Sequence, residues 1–146
     1  MERQTECVRA LNDILRGEIS AVETYRQALD KIQDLGHREA LERCEHTHEK
    51  HVAVLRDRIA NLGGAPATGG GAWGAYAKLI QGGAKLFGGD RAAIAALEEG
   101  EDHVLRTVRD HLGELDLESR RLIEEELLPE QEDTHAVMST LKYFLQ

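Results

Sequence analysis

The chain lacks the features that mark several large classes of protein. It has no excess of positive charge: its 146 residues carry a formal net charge of -9, which argues against nucleic acid or an anionic membrane as a partner. Every apolar run falls well short of the roughly 20 residues a membrane-spanning helix needs. Only two cysteines occur, and Cys7 and Cys44 have no C-x-x-C spacing, so reduced thiols are expected, Cys44 as a small core residue. No charged segment followed by a short apolar one opens the chain. The expectation is a cytoplasmic protein. Prolines number only two, and both fall where helices end or bend.

Helical periodicity fills most of the rest. Val8, Leu11, Leu15, Val22, Leu29 and Ile32 recur three or four apart, the stripe of an amphipathic helix from about 3 to 34, with Gly36 read as its stop. Leu41, Cys44, His48, Val52, Leu55, Ile59 and Leu62 predict a second helix, ended by Gly63-Gly64 with Pro66 just beyond. From 63 to 89 the composition shifts to Gly and Ala, and Trp73, Tyr76, Leu79, Ile80, Leu86 and Phe87 suggest a short helix inside a crossover. Asp90 is a suitable N-cap for a third helix carrying Ile94, Leu97, Glu101, Leu105, Val108 and Leu112. Asp116 or Ser119 caps a fourth, with Leu122, Leu128, His135, Met138, Leu141 and Leu145, and Pro129 kinks it by removing a backbone donor. Short loops after helices one and three and a long one between two and three describe two antiparallel hairpins. The expected fold is an all-α four-helix bundle, residues 1–146 forming one domain.

Two stretches repeat one another. Gly17-Glu18, Thr24, Arg26 and Leu29 return at the same spacing as Gly100-Glu101, Thr107, Arg109 and Leu112. A Glu-x-x-His turn follows each copy: Glu45 to His48, and Glu132 to His135. Residues three apart share a helix face, and Glu18 and Glu101 interrupt apolar stripes, so all six side chains are expected to point inward. Four carboxylates in a core need cations to balance them, and two imidazoles add neutral donors. The expected metal ligands are therefore Glu18, Glu45, His48, Glu101, Glu132 and His135 around two ions, with Glu45 and Glu132 bridging. Iron is the expected metal; manganese and zinc also suit the donor set. His51 lies on the same side of the second helix and could replace His48, serve as a seventh ligand, or hold a ligand by a hydrogen bond; His48 is preferred because Glu45 precedes it. Tyr25, two turns after Glu18, is expected beside the site as a hydrogen-bond donor to a ligand carboxylate or a redox-active neighbour, or else as an ordinary core aromatic. Glu98, one turn before Glu101, is the residue most readily confused with it.

On these residues the chain resembles the ferritin-like superfamily. Gly-Glu-x-x-Ala-x-x-x-Tyr from Gly17 to Tyr25 is similar to the opening helix of bacterioferritins and rubrerythrins, and Gly100-Glu101 resembles their third helix. The resemblance is closer to a bacterial family of ferritin-like bundles of unknown function, which similarly carry Leu-Gly-Gly-x-Pro after helix two (Leu62 to Pro66), a Gly-rich segment with a Trp, Gly-Glu-Asp in helix three (Gly100 to Asp102) and Thr134-His135 in helix four. It implies a di-metal-capable bundle. The chain holds two cysteines rather than the four of rubrerythrin-type iron sites, and the fifth helix of iron-storage cages is not expected.

The functional expectation is a di-iron carboxylate protein that binds Fe(II) and oxidises it with oxygen or peroxide, a ferroxidase-like oxidoreductase. The rival expectation is a non-catalytic bundle, metal-free or holding a structural ion, that acts in stress physiology or interaction as a homodimer.

Overall fold

The computed structural model describes residues 2–70 and 89–145. They form an all-α four-helix bundle. Helix α1 spans Glu2–Leu29, α2 Leu35–Asn61 and α3 Gly89–His111. The fourth rod is composite: α4 (Leu117–Leu122), a π-helical stretch Ile123–Leu127, and α5 (Leu128–Phe144). The short helix expected around Trp73 to Phe87 lies outside the described residues.

The α1–α2 turn comes earlier than the sequence suggests. Helix α1 stops at Leu29, and Gly36 sits in the first turn of α2 rather than ending α1. The reason is capping: Asp34 accepts from the His37 amide at 2.9 Å, satisfying a donor with no partner inside the helix. Arg38 then donates to the carbonyls of Leu29 and Ile32 and closes the C-terminal end of α1. Asp90, read as a cap for α3, lies in its first turn and faces the α1–α2 connection, taking His37 Nδ1 at 2.9 Å and the amides of Gln33 and Asp34 at 3.4 Å. The top of α3 is thus clipped to the α1–α2 turn.

Helix α2 ends as its sequence predicts. Gly63 adopts φ +78°, its amide bonds Ala60 O, and the Gly64 amide reaches back to Ile59 O, the paired reverse bonds of a glycine C-cap. The chain leaving α2 runs against α1, where Asn12 brackets it with bonds to Ala65 O (3.0 Å) and from the Ala67 amide (2.7 Å).

Contacts between Asp90 and residues 33–34, Glu101 and Tyr25, and His111 and Asp13 make α1 and α3 antiparallel neighbours. Leu11, Ile14, Leu15, Leu41, Leu55, Ile59, Ile94, Leu97, Ile123 and Leu127 are fully buried between the rods. Each stabilises the fold by about 1.5–3 kcal/mol through area removed from water. At the base, Arg58 donates to Ser119 Oγ at 2.8 Å and pairs with Asp116 at 3.1 Å. Asp116, rather than Ser119, caps α4 by accepting the Ser119 amide at 2.8 Å.

The π turn occupies the place where Pro129 was expected to disturb the helix. Leu128 N bonds Ile123 O, five residues back, so the turn is one residue wider where the proline ring would crowd a carbonyl. On this rod the buried residues are Ser119, Ile123, Leu127, Gln131, Thr134 and Met138. Steps of four residues three times in succession run longer than the 3.6 of an α-helix, and the wider turn absorbs the difference.

Candidate metal site

The buried face of α1 carries Glu18 and, two turns on, Tyr25; α2 carries His48 and His51, three apart on one face; α3 carries Glu101; α5 carries Gln131 and Thr134, also three apart. All seven are at most 4% exposed. Their side chains form one connected network. His48 Nδ1 lies 2.7 Å from Glu18 Oε1, and its Nε2 lies 2.8 Å from Glu101 Oε2. His51 Nδ1 lies 3.1 Å from the same Glu18 oxygen, and its Nε2 lies 2.9 Å from Glu130 Oε1. Glu101 also accepts from Tyr25 OH at 2.5 Å on Oε2, and from Gln131 Nε2 and Thr134 Oγ1, each at 2.7 Å, on Oε1. Tyr25 and His48 further stack with ring centres 5.5 Å apart.

The electrostatics follow from burial competing with pairing. Burial alone would raise the Glu18 pKa, but His48 and His51 pull it down to about 2. Burial would lower that of His48, yet Glu101 and Glu18 raise it to about 10. The two carboxylates flanking His48 therefore favour its imidazolium form, in which both nitrogens donate. Burial, then the Glu101 charge and Cys44, hold the Tyr25 hydroxyl well above its ordinary value; burial and Glu101 raise the Cys44 thiol to about 12.

Glu18, His48 and His51 each offer a ligand atom within 4.8 Å of the others, and all three are buried. This group could hold a metal ion. Glu18 Oε2 is buried with no hydrogen-bond partner among the described residues, and so is Gln131 Oε1. An orphaned carboxylate oxygen costs about 1–3 kcal/mol or more, and a cation beside Glu18 would remove that cost. Both imidazoles turn Nδ1 toward Glu18 and Nε2 toward a further carboxylate, the arrangement that orients histidine ligands in metal sites. The donor set fits a divalent metal ion.

Of the six expected ligands, the fold brings Glu18, His48 and Glu101 together and places the other three elsewhere. Glu45 bonds Arg26 at 3.0 Å on the outer side of the α1–α2 hairpin. Glu132 pairs with Arg109 at 2.9 Å, and both side chains are half exposed. His135 meets Glu98 at 3.1 Å. The inward face of α5 belongs instead to Gln131, which no spacing marks out, and to Thr134, which the sequence marks only as the neighbour of His135. They are polar because they serve Glu101. His51 does not displace His48: both face the same Glu18 oxygen. Glu130, which no sequence pattern singled out, anchors His51 from the rim and pairs with Lys50 at 2.7 Å.

Residues 6–114 match a protein-family model described as "Domain of unknown function (DUF2383)". Searches of curated proteins and of solved structures returned no match. The matched span includes Glu18, His48, His51 and Glu101, and ends before the fourth rod.

Proposed function

The chain belongs to the DUF2383 family, and on that premise we propose that it is a metal-binding bundle holding a divalent transition-metal ion on Glu18, His48 Nδ1 and His51 Nδ1. The observation that carries this reading is a buried Glu-His-His group with one carboxylate oxygen left over. Two imidazoles and one carboxylate with open positions suit Fe(II) particularly, and zinc also. When bound, the ion would supply the redox or Lewis-acid chemistry. The residues do the rest. Glu101 fixes the His48 ring through Nε2 and is itself held by Tyr25, Gln131 and Thr134; Glu130 does the same for His51. A metal binds a neutral imidazole nitrogen, so binding at His48 Nδ1 would compete with the proton that Glu101 and Glu18 favour on this ring. Oxidation of Fe(II) by oxygen or peroxide is the activity we propose, which fits the ferritin-like resemblance.

A two-ion centre using all six ligands is a second reading. It is favoured by one observation: the repeated Gly-Glu segments bring Glu18 and Glu101 to opposite nitrogens of one imidazole. It requires Glu45, Glu132 and His135 to leave Arg26, Arg109 and Glu98. A third reading, a metal-free interaction bundle, draws on the completeness of the hydrogen bonding around His48.

Elemental analysis of protein purified without chelator, or loaded anaerobically with Fe(II), separates them. One ion per chain, lost in Glu18→Ala and retained in Glu45→Ala/Glu132→Ala, supports the first; two ions, lost in both variants, support the second. No metal even after loading leaves the third. Iron loading followed by exposure to air tests oxidation, which fails if the rate equals that of buffer.

A further inference from the structure

Successive residues of an α-helix are rotated by about 100°, and a turn closed five residues back holds every later residue behind by roughly that angle. Leu128 N bonds Ile123 O across such a turn. Each residue of α5 therefore stands close to where the residue before it would stand if the fourth rod were α-helical throughout. In that unbroken rod Glu130 would take the place of Gln131, Asp133 that of Thr134, and Val137 that of Met138.

The apolar pattern admits both registers. Val137 already packs against the core beside the buried Met138, and Phe144, 76% exposed, would take the place of Leu145, which packs against the core. The polar pattern separates them. In the observed register Gln131 and Thr134 each donate to Glu101 Oε1 at 2.7 Å; in the other, two carboxylates would face that oxygen inside the core, at a large electrostatic cost. Pro129 is the second residue of α5, directly after the π turn, and in an unbroken helix its ring would meet the carbonyl of Glu125, four residues back.

We propose that Pro129 is a positioning residue for the buried network: it holds α5 in the register that lines Glu101 with hydrogen-bond donors, and so confines ligation to Glu18, His48 and His51 and to one ion. The count of ions rests on the metal site proposed above. With α5 turned by one residue, Glu130 and Asp133 would join Glu101 on the Nε2 side of the two histidines, and three carboxylates there need a cation of their own.

Thiol labelling of metal-free protein reads the register. Glu130→Gln/Asp133→Thr supplies donors in both registers, so in that background Pro129 alone chooses between them. The reporters are Met138→Cys and Val137→Cys, read over Cys7 and Cys44, which are buried. With Pro129 kept, Met138→Cys should stay protected, since Met138 is fully buried. Adding Pro129→Ala should speed its labelling by roughly tenfold or more and slow that of Val137→Cys. Unchanged rates overturn the proposal, and so does faster labelling at both positions, which is loosening rather than rotation. Cobalt(II) content of Pro129→Ala alone reads the consequence for the site, and should rise from one ion per chain to two. A rotated α5 that still binds one ion overturns the link between Pro129 and ion number while the metal site stands. A parent that binds no cobalt overturns the metal site, and the labelling still decides the register.

Discussion

Glu101 accepts four hydrogen bonds, two on each oxygen, from three elements besides its own. A carboxylate so satisfied is a fixed anchor, and its task in this structure is to aim His48. Replacing Gln131 and Thr134 together by Leu and Val strips Oε1 of both donors inside the core. We expect a loss of about 1–3 kcal/mol in urea denaturation; a change under about 0.5 kcal/mol would show that Glu101 does not depend on them. The Glu18–His48 pair also sets a pH window for protein stripped of metal. Glu18 is lowered from 4.5 to about 2, so its contribution is complete above pH 4.5 and lost as pH falls toward 2. His48 is raised from 6.5 to about 10, so its contribution is complete below pH 6.5 and lost as pH rises through 10. Denaturation midpoints of chelator-treated protein should therefore peak between pH 4.5 and 6.5. A midpoint that stays level from pH 6.5 to 10 would contradict an imidazolium at position 48.

At the scale of elements, ends proved harder to read than faces. The apolar stripes of α1, α2 and α3 follow directly from residue spacing, and most of their residues are buried, although Val8, Leu29, Val52, Leu62 and Leu112 are only partly so and Ile14, Ile19 and Val104 are buried beside them. The start of α2 depends on one carboxylate at Asp34 reaching one amide, a choice that no periodicity encodes. The C-cap is the opposite case, because a left-handed residue demands glycine. Gly63→Ala should destabilise the protein by roughly 1–2 kcal/mol through that backbone strain alone, since nothing lies within 4 Å of the added methyl. Thermal unfolding measures it, and an unchanged midpoint would mean that the turn relaxes. The fourth rod combines both cases. Pro129 announces a disturbance, but a proline can kink, end or widen a helix, and the wider turn was selected by the need to bring Gln131, Thr134 and Met138 to one face.

For the whole molecule, the network ties all four rods together at one level: Glu18 from α1, His48 and His51 from α2, Glu101 from α3, and Glu130, Gln131 and Thr134 from α5. A ligand at that point is coupled to global stability, because an unfolded chain offers no assembled site. Free Fe(II) or Co(II) at 100 times its dissociation constant should raise unfolding free energy by about 2.7 kcal/mol. The same addition should leave Glu18→Ala unmoved; an equal rise in that variant would place the ion elsewhere. Core packing supplies the other large contribution. Leu97→Ala, at a fully buried position, should cost about 2–5 kcal/mol by the cavity it leaves, measurable as a shift of the urea midpoint.

The sequence by itself determined the helical class, the bundle, the inward aim of Glu18, His48 and Glu101, and the absence of any helix long and apolar enough to cross a membrane among the described residues. These follow from residue types at fixed spacings along one helix, which is local information. Tertiary structure decided which faces of different helices meet. Glu45 and Glu132 have the same local credentials as Glu18, yet each finds an arginine at the surface. The rotation of a rod about its axis is set by packing against its neighbours. After the π turn, the inward positions of α5 are held by Gln131 and Thr134, which both donate to Glu101 on α3.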